Sequence, residues 1–195
     1  MRKYENAKEK KIMKTEIEKN NKELKNASLL VVFGFLIMVL SMLLPFATAK
    51  EGYRDYLKTY AHEWEKAGMD KEDVMDVSLV EYIRVYTYAI SMGVGEEIAM
   101  AFLVLVGIVF IMGIICVEGA VHKKPKGVIA ADIIGALVYV FMCMDFVGRN
   151  VIGGDKYEFG YGIYVYGVAA IVIFLGAVIM IRTKKKNMLE EEKVN

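Results

Sequence analysis

The stretch "LSMLLPFATAKEGYRDY", residues 40–56, leaves an apolar run and enters charge within a few positions. It contains Ala47-Thr48-Ala49, the A-x-A form that signal peptidase cuts. It is therefore either the end of a removable export signal or the far end of a permanent membrane helix, and the choice sets how the chain sits in a membrane. A secretory signal has a short basic leader and an apolar region of roughly 7–15 residues. Here the leader runs for 26 residues and the apolar run, Ala27–Ala47, for 21. Those proportions fit an uncleaved anchor. Cleavage after Ala49 would leave three spans and the same orientation for the rest.

The remainder of the chain repeats the pattern. Its 195 residues are 56% hydrophobic and 25% charged, and the charges collect in blocks at 1–26, 47–97, 118–126 and 182–195. Between them lie apolar runs long enough to cross a bilayer core of about 30 Å, which takes roughly 20 helical residues. Helix is the expected spanning structure, because period-2 alternation is absent and each span must satisfy its own backbone. The expected fold is an all-α integral membrane protein with four transmembrane helices, at 27–47, 98–117, 128–147 and 161–181, and a small helical extracytoplasmic cap at 48–97. A basic N-terminal helix or tail (1–26), a loop at 118–127, a short outer loop at 148–160 and a basic tail at 182–195 complete the plan.

Lysine and arginine counts orient it. The leader holds nine basic residues, the 118–126 loop three and the C-terminal tail five, whereas 47–97 holds six against eleven acids. Both termini and the middle loop are expected in the cytoplasm and the acidic segment outside, in a cell membrane. Cys116 and Cys143 fall near opposite faces, about 20 Å apart in depth, too far for a disulfide.

In the leader, Met13, Ile17, Asn20, Leu24, Ala27 and Val31 follow a 4-3-4-3-4 spacing on one helical seam. That seam predicts either a short coiled coil with a partner helix or a solvated basic helix near headgroups. In the cap, Tyr53, Leu57, Tyr60 and Trp64 share one helix face, with Gly68 placed to end the helix. Ser78 and Glu81 form an S-x-x-E capping box that starts a second helix, with Leu79, Ile83, Tyr86 and Ile90 on its apolar face. A strand reading of 79–90 competes. The aromatic set Tyr53, Tyr60, Trp64, Tyr82 and Tyr86 is read either as packing on the span ends or as a recognition surface.

Asp132 and Asp145 are the acids inside apolar runs, and such carboxylates are candidates for function. Asp132 lies within reach of Lys123 or Lys126, and Asp145 has Arg149 at i+4, so structural pairing is the expectation for both. They lie about 20 Å apart along the axis and form no common site. Gly127, Ala131 and Gly135 make a small-xxx-small ladder for close helix approach. "HEWEK" is not H-E-x-x-H, and no nucleophile elbow or C-x-x-C occurs. No catalytic residue, metal or cofactor is expected, and the chain is not read as an enzyme.

Four spans with a long first outer loop are topologically similar to tetraspan proteins such as claudins. The claudin loop pattern is missing, since 47–97 has Trp64 and no cysteine, so the similarity implies no function. The expected role is a non-enzymatic accessory or interaction protein, binding a membrane protein or an extracellular ligand through the outer loop. Its expected partners are the lipid bilayer, a membrane protein or a second copy, with no nucleic acid. The alternatives are a small oligomeric transporter or channel using Asp132 or Asp145, and a membrane immunity or stress protein.

Overall fold

A computed structural model describes residues 2–59, 65 and 68–194, with side chains described from Met13 onward except at 191, 193 and 194. Tyr60 and Trp64 lie outside the described residues. Among the described residues four helices are long and apolar enough to cross a membrane. Along their flanks Phe33, Leu36, Leu40, Ile111, Leu137, Phe141, Met144, Ile171 and Leu175 stay exposed. Water would not tolerate so continuous an apolar belt, whereas lipid covers it without cost. The chain is a multi-pass membrane protein.

The first helix, α1 (Arg2–Ser41), is one 40-residue rod, about 60 Å long at 1.5 Å per residue. It ends earlier than the apolar run does. Pro45 has no N–H to continue the ladder and its ring disfavours helix in the residue before it. The chain tightens through bonds from Met42 to Val39 O and from Leu43 to Leu40 O, at 3.1 and 3.0 Å, then extends as β1 (Pro45–Ala49). The last residues of the expected 27–47 span are therefore strand.

That strand corrects the expectation of an all-helical cap. β1 is the centre of a three-stranded antiparallel sheet, between β2 (Asp76–Ser78) and β3 (Tyr157–Phe159). Ala47 pairs with Val77 on one side and Phe159 on the other. Each strand has three to five residues, so no long alternating pattern exists in the sequence to announce it. The sheet ties the lobe to the ends of three spans, because β1 follows α1, β3 precedes the last helix and β2 leads into the helix before the second span.

Around the sheet lie α2 (Glu51–Thr59), α3 (Lys71–Met75) and α4 (Leu79–Ser91). The capping box at the start of α4 is present: Glu81 N donates to Ser78 Oγ at 3.3 Å and Ser78 N to Glu81 Oε2 at 2.8 Å. This cap, and a helical run through 79–90, decide the helix-or-strand question for helix. Asp70 and Asp73 cap α3 in the same reciprocal way. Gly93, just after α4, and Gly68, shortly before α3, take positive φ, 69° and 73°.

The other spans are α5 (Glu96–Val121), α6 (Pro125–Gly148) and α7 (Gly162–Val194). α1 packs on α7 and α5, and α6 on α5 and α7, closing a four-helix ring. The α1–α7 pairing is the most extensive, and glycine allows it. A Cβ on Gly34 would meet Ile173 Cγ1 at 2.6 Å, and one on Gly176 would meet Val31 Cγ2 at 2.8 Å. The leader seam finds its partner here. Leu24, Ala27 and Val31 are buried, and Asn20 donates to Glu190 of α7 at 3.2 Å. The helix covering the seam is the chain's own C-terminal one.

Candidate functional site

Phe46 joins the lobe to the bundle. At 1% exposure it meets Tyr82, Tyr139, Phe146 and Phe159 edge-on, with centroids 5.3 to 6.5 Å apart. Tyr82, 7% exposed, fills the same joint between Phe46, Phe102 and Phe146. Burial holds its phenol well above the ordinary tyrosine range, with Tyr157 and Tyr86 nearby adding to the shift and Arg149 opposing it. Tyr86 packs on Phe102 at 4.6 Å and accepts a bond from Arg149 Nη1 at 3.1 Å.

Arg149 is the cation of this joint. Its Nε donates to Asp145 Oδ2 at 2.9 Å and its guanidinium lies 5.1 Å from the Phe146 ring centroid. Burial works against its charge, but the bonds to Asp145 and Tyr86 prevail and keep it firmly protonated. Asp145 is therefore a paired structural carboxylate. Asp132 is not: no Lys, Arg or His nitrogen of the described residues comes within 4.0 Å of it. The expected pairing with Lys123 or Lys126 does not form. Asp132 instead lines a small cavity between the helices with Cys116, Tyr166, Gly135 and Met38, of about 10 Å³, room for about one water molecule.

The Gly127-Ala131-Gly135 ladder divides. Ala131 is buried, a Cβ on Gly135 would stand 3.2 Å from Met112 Cβ, and Gly127 has nothing within 4 Å. Close packing with α5 uses the ladder's inner end only.

Tyr53 stands apart from the joint. Its ring stacks on Tyr56 at 5.4 Å with a 16° interplanar angle, and meets Tyr157 edge-on at 5.5 Å. Tyr157 donates its hydroxyl to Val74 O at 2.9 Å, and Lys156 Nζ lies 5.7 Å from the Tyr53 ring centroid. Tyr56 is 53% exposed. Along the same helix runs a polar cleft of about 660 Å³ with Lys50, Arg54, Lys58, Glu51, Asp55 and Glu158 on its walls. Arg54 Nε anchors the helix to Ala49 O at 2.9 Å, and Lys58 Nζ binds Asp55 at 2.7 Å, which holds the Asp55 carboxyl below its usual range.

The described aromatics of the outer segment divide between two places. Tyr82 and Tyr86 pack into the joint, Tyr53 belongs to a stack on α2, and Tyr60 and Trp64 lie outside the described residues. Phe46 was not singled out by sequence, although an aromatic directly after a helix-ending proline is a legible signal. Among the described residues no three of His, Cys, Asp and Glu converge as a metal-ligand set. Comparison with protein-family models, curated proteins and solved structures finds no match.

Proposed function

We propose that this protein is a non-enzymatic interaction protein of the cell membrane, with both termini in the cytoplasm, which binds a membrane partner or an extracellular ligand through its lobe. The observation that carries the reading is the surface of α2. One side of this helix borders a cleft of three cations and three carboxylates, the other presents the stacked Tyr53–Tyr56 pair, and the helix is pinned to the central strand. Tyrosine beside mixed charge on a rigid support is the composition of binding hot spots, since little conformational entropy is lost on contact. The aromatic joint beneath the lobe supports the reading by fixing that face relative to the bundle.

A photoreactive amino acid placed at Asp55 in native membranes tests it. The reading expects an adduct with a second molecular species that disappears when Tyr56→Ala and Lys58→Glu are combined. Adducts with this chain alone, or adducts indifferent to those substitutions, overturn it.

The second reading, a small transporter or channel, draws on Asp132, a carboxylate with no ion-pair partner among the described residues that lines a cavity between the helices. The cavity it lines is water-sized, so solute passage would require the helices to separate. Flux in reconstituted vesicles that is lost in Asp132→Asn favours this reading; flux absent from the unmodified protein removes it.

A further inference from the structure

The opposite end of the bundle, where the termini lie, carries a second surface. Lys124, Lys126, Pro125 and Gly127 at the start of α6 face Ile181, Lys184, Lys185 and Met188 of α7 across a cleft of about 610 Å³. The α7 residues recur at i, i+3, i+4 and i+7, so they form one face of that helix. Lys184 Nζ donates to Lys123 O at 3.4 Å, which ties this wall to the turn between α5 and α6. Four ammonium groups stand around the cleft, and among the described residues no carboxylate lines it. Its floor is open, because Gly127 has no neighbour within 4 Å of the place a Cβ would occupy.

Position and chemistry together specify the occupant. The cleft lies where the apolar belt gives way to charge: Phe174, seven residues before Ile181 and so on the same face of α7, is exposed, and Lys184 to Lys186 follow. A free inorganic anion would use the lysines and leave the apolar lining wet. A neutral lipid would cover the lining and leave four like charges unneutralised. We infer that this cleft seats one anionic phospholipid, with the phosphate among Lys124, Lys126, Lys184 and Lys185 and the glycerol end of an acyl chain against Gly127, Pro125 and Ile181. Charge complementarity between basic pockets at span ends and anionic headgroups is strong, because the surrounding hydrocarbon weakens screening. The inference rests on the four-span reading and is independent of which way the spans point or what the lobe binds.

The test uses the full chain in nanodiscs of mixed phosphatidylcholine and phosphatidylglycerol, followed by release into detergent and native mass spectrometry. One retained phosphatidylglycerol per chain is expected. Replacing the four lysines by glutamine should lower retention by at least about tenfold. Gly127→Leu should lower it too, by filling the cleft with every charge in place and no side chain to collide with; this variant decides the matter if the quadruple one does not fold. Lys71→Gln with Arg84→Gln, on the lobe, should leave retention unchanged. Equal retention of phosphatidylcholine, undiminished retention in Gly127→Leu, or displacement by soluble glycerol phosphate would overturn the inference. Failure of the chain to enter nanodiscs at all would instead refute the membrane reading beneath it.

Discussion

The guanidinium of Arg149 reaches from the end of α6 to the hydroxyl of Tyr86 on α4, 3.1 Å away, while its Nε holds Asp145 at 2.9 Å. One side chain thus satisfies an acid at the end of a span and fastens a lobe helix to it. Tyr86→Phe removes only the lobe contact and should cost about 1 kcal/mol. Arg149→Met also strands Asp145 and should cost about 2 kcal/mol. Thermal unfolding of the full chain in mild detergent, followed by circular dichroism, checks both. Additive losses in the double variant would mean that the two residues do not couple.

The glycine contacts between α1 and α7 make a second expectation. Gly34→Val and Gly176→Val each drive a side chain into the opposing helix, at Ile173 and Val31 respectively, and should cost about 1–3 kcal/mol by overpacking. Gly127→Val adds the same atoms where nothing lies within 4 Å and should change stability little. If all three behave alike, the close pairing of α1 and α7 is not as described.

Thr183 offers a gain. It is fully buried, and its Oγ1 has no hydrogen-bond partner among the described residues. Thr183→Val keeps the shape, removes the unpaired hydroxyl and should raise stability by about 1 kcal/mol. A loss of similar size in the same unfolding assay would show that the hydroxyl is satisfied by water.

The lobe should fail at alkaline pH. Burial raises the phenols of Tyr82 and Tyr157 above their ordinary value near 10. The unfolded chain therefore releases these protons first, so the contribution of the neutral phenols is complete below about pH 10 and declines as pH rises beyond it. Phenolate absorbance should lag in the folded protein and then rise together with loss of helicity. Titration of every tyrosine near pH 10 without unfolding would contradict the packing of the aromatic joint.

The spans were legible because hydrocarbon length is a constraint that sequence states directly: a run such as Ile98–Val117 can do little else. The α4 start was equally legible, since Ser78 and Glu81 encode their own reciprocal bonds. The seam from Asn20 to Val31 was readable as a face, but not its partner, because a heptad spacing does not say which helix will cover it. The sheet was not readable. Its strands are short, and β3 joins from more than a hundred residues along the chain, so only tertiary packing places it. Pro45 was the available signal that the first helix stops early. Asp132 shows the same limit, as chain distance to Lys123 and Lys126 did not reveal that its helix face turns inward, toward Tyr166 and Cys116.

The central claim is that the acidic lobe and the lysine-bearing end of the bundle lie on opposite sides of a membrane, lobe outside. In a background with Cys116 and Cys143 replaced by alanine, single cysteines at the exposed positions Glu72 and Lys186 test it with a membrane-impermeant maleimide on intact cells. The account requires rapid labelling at position 72, and labelling at 186 only after the membrane is permeabilised. Labelling at 186 in intact cells, or protection of 72, would contradict it.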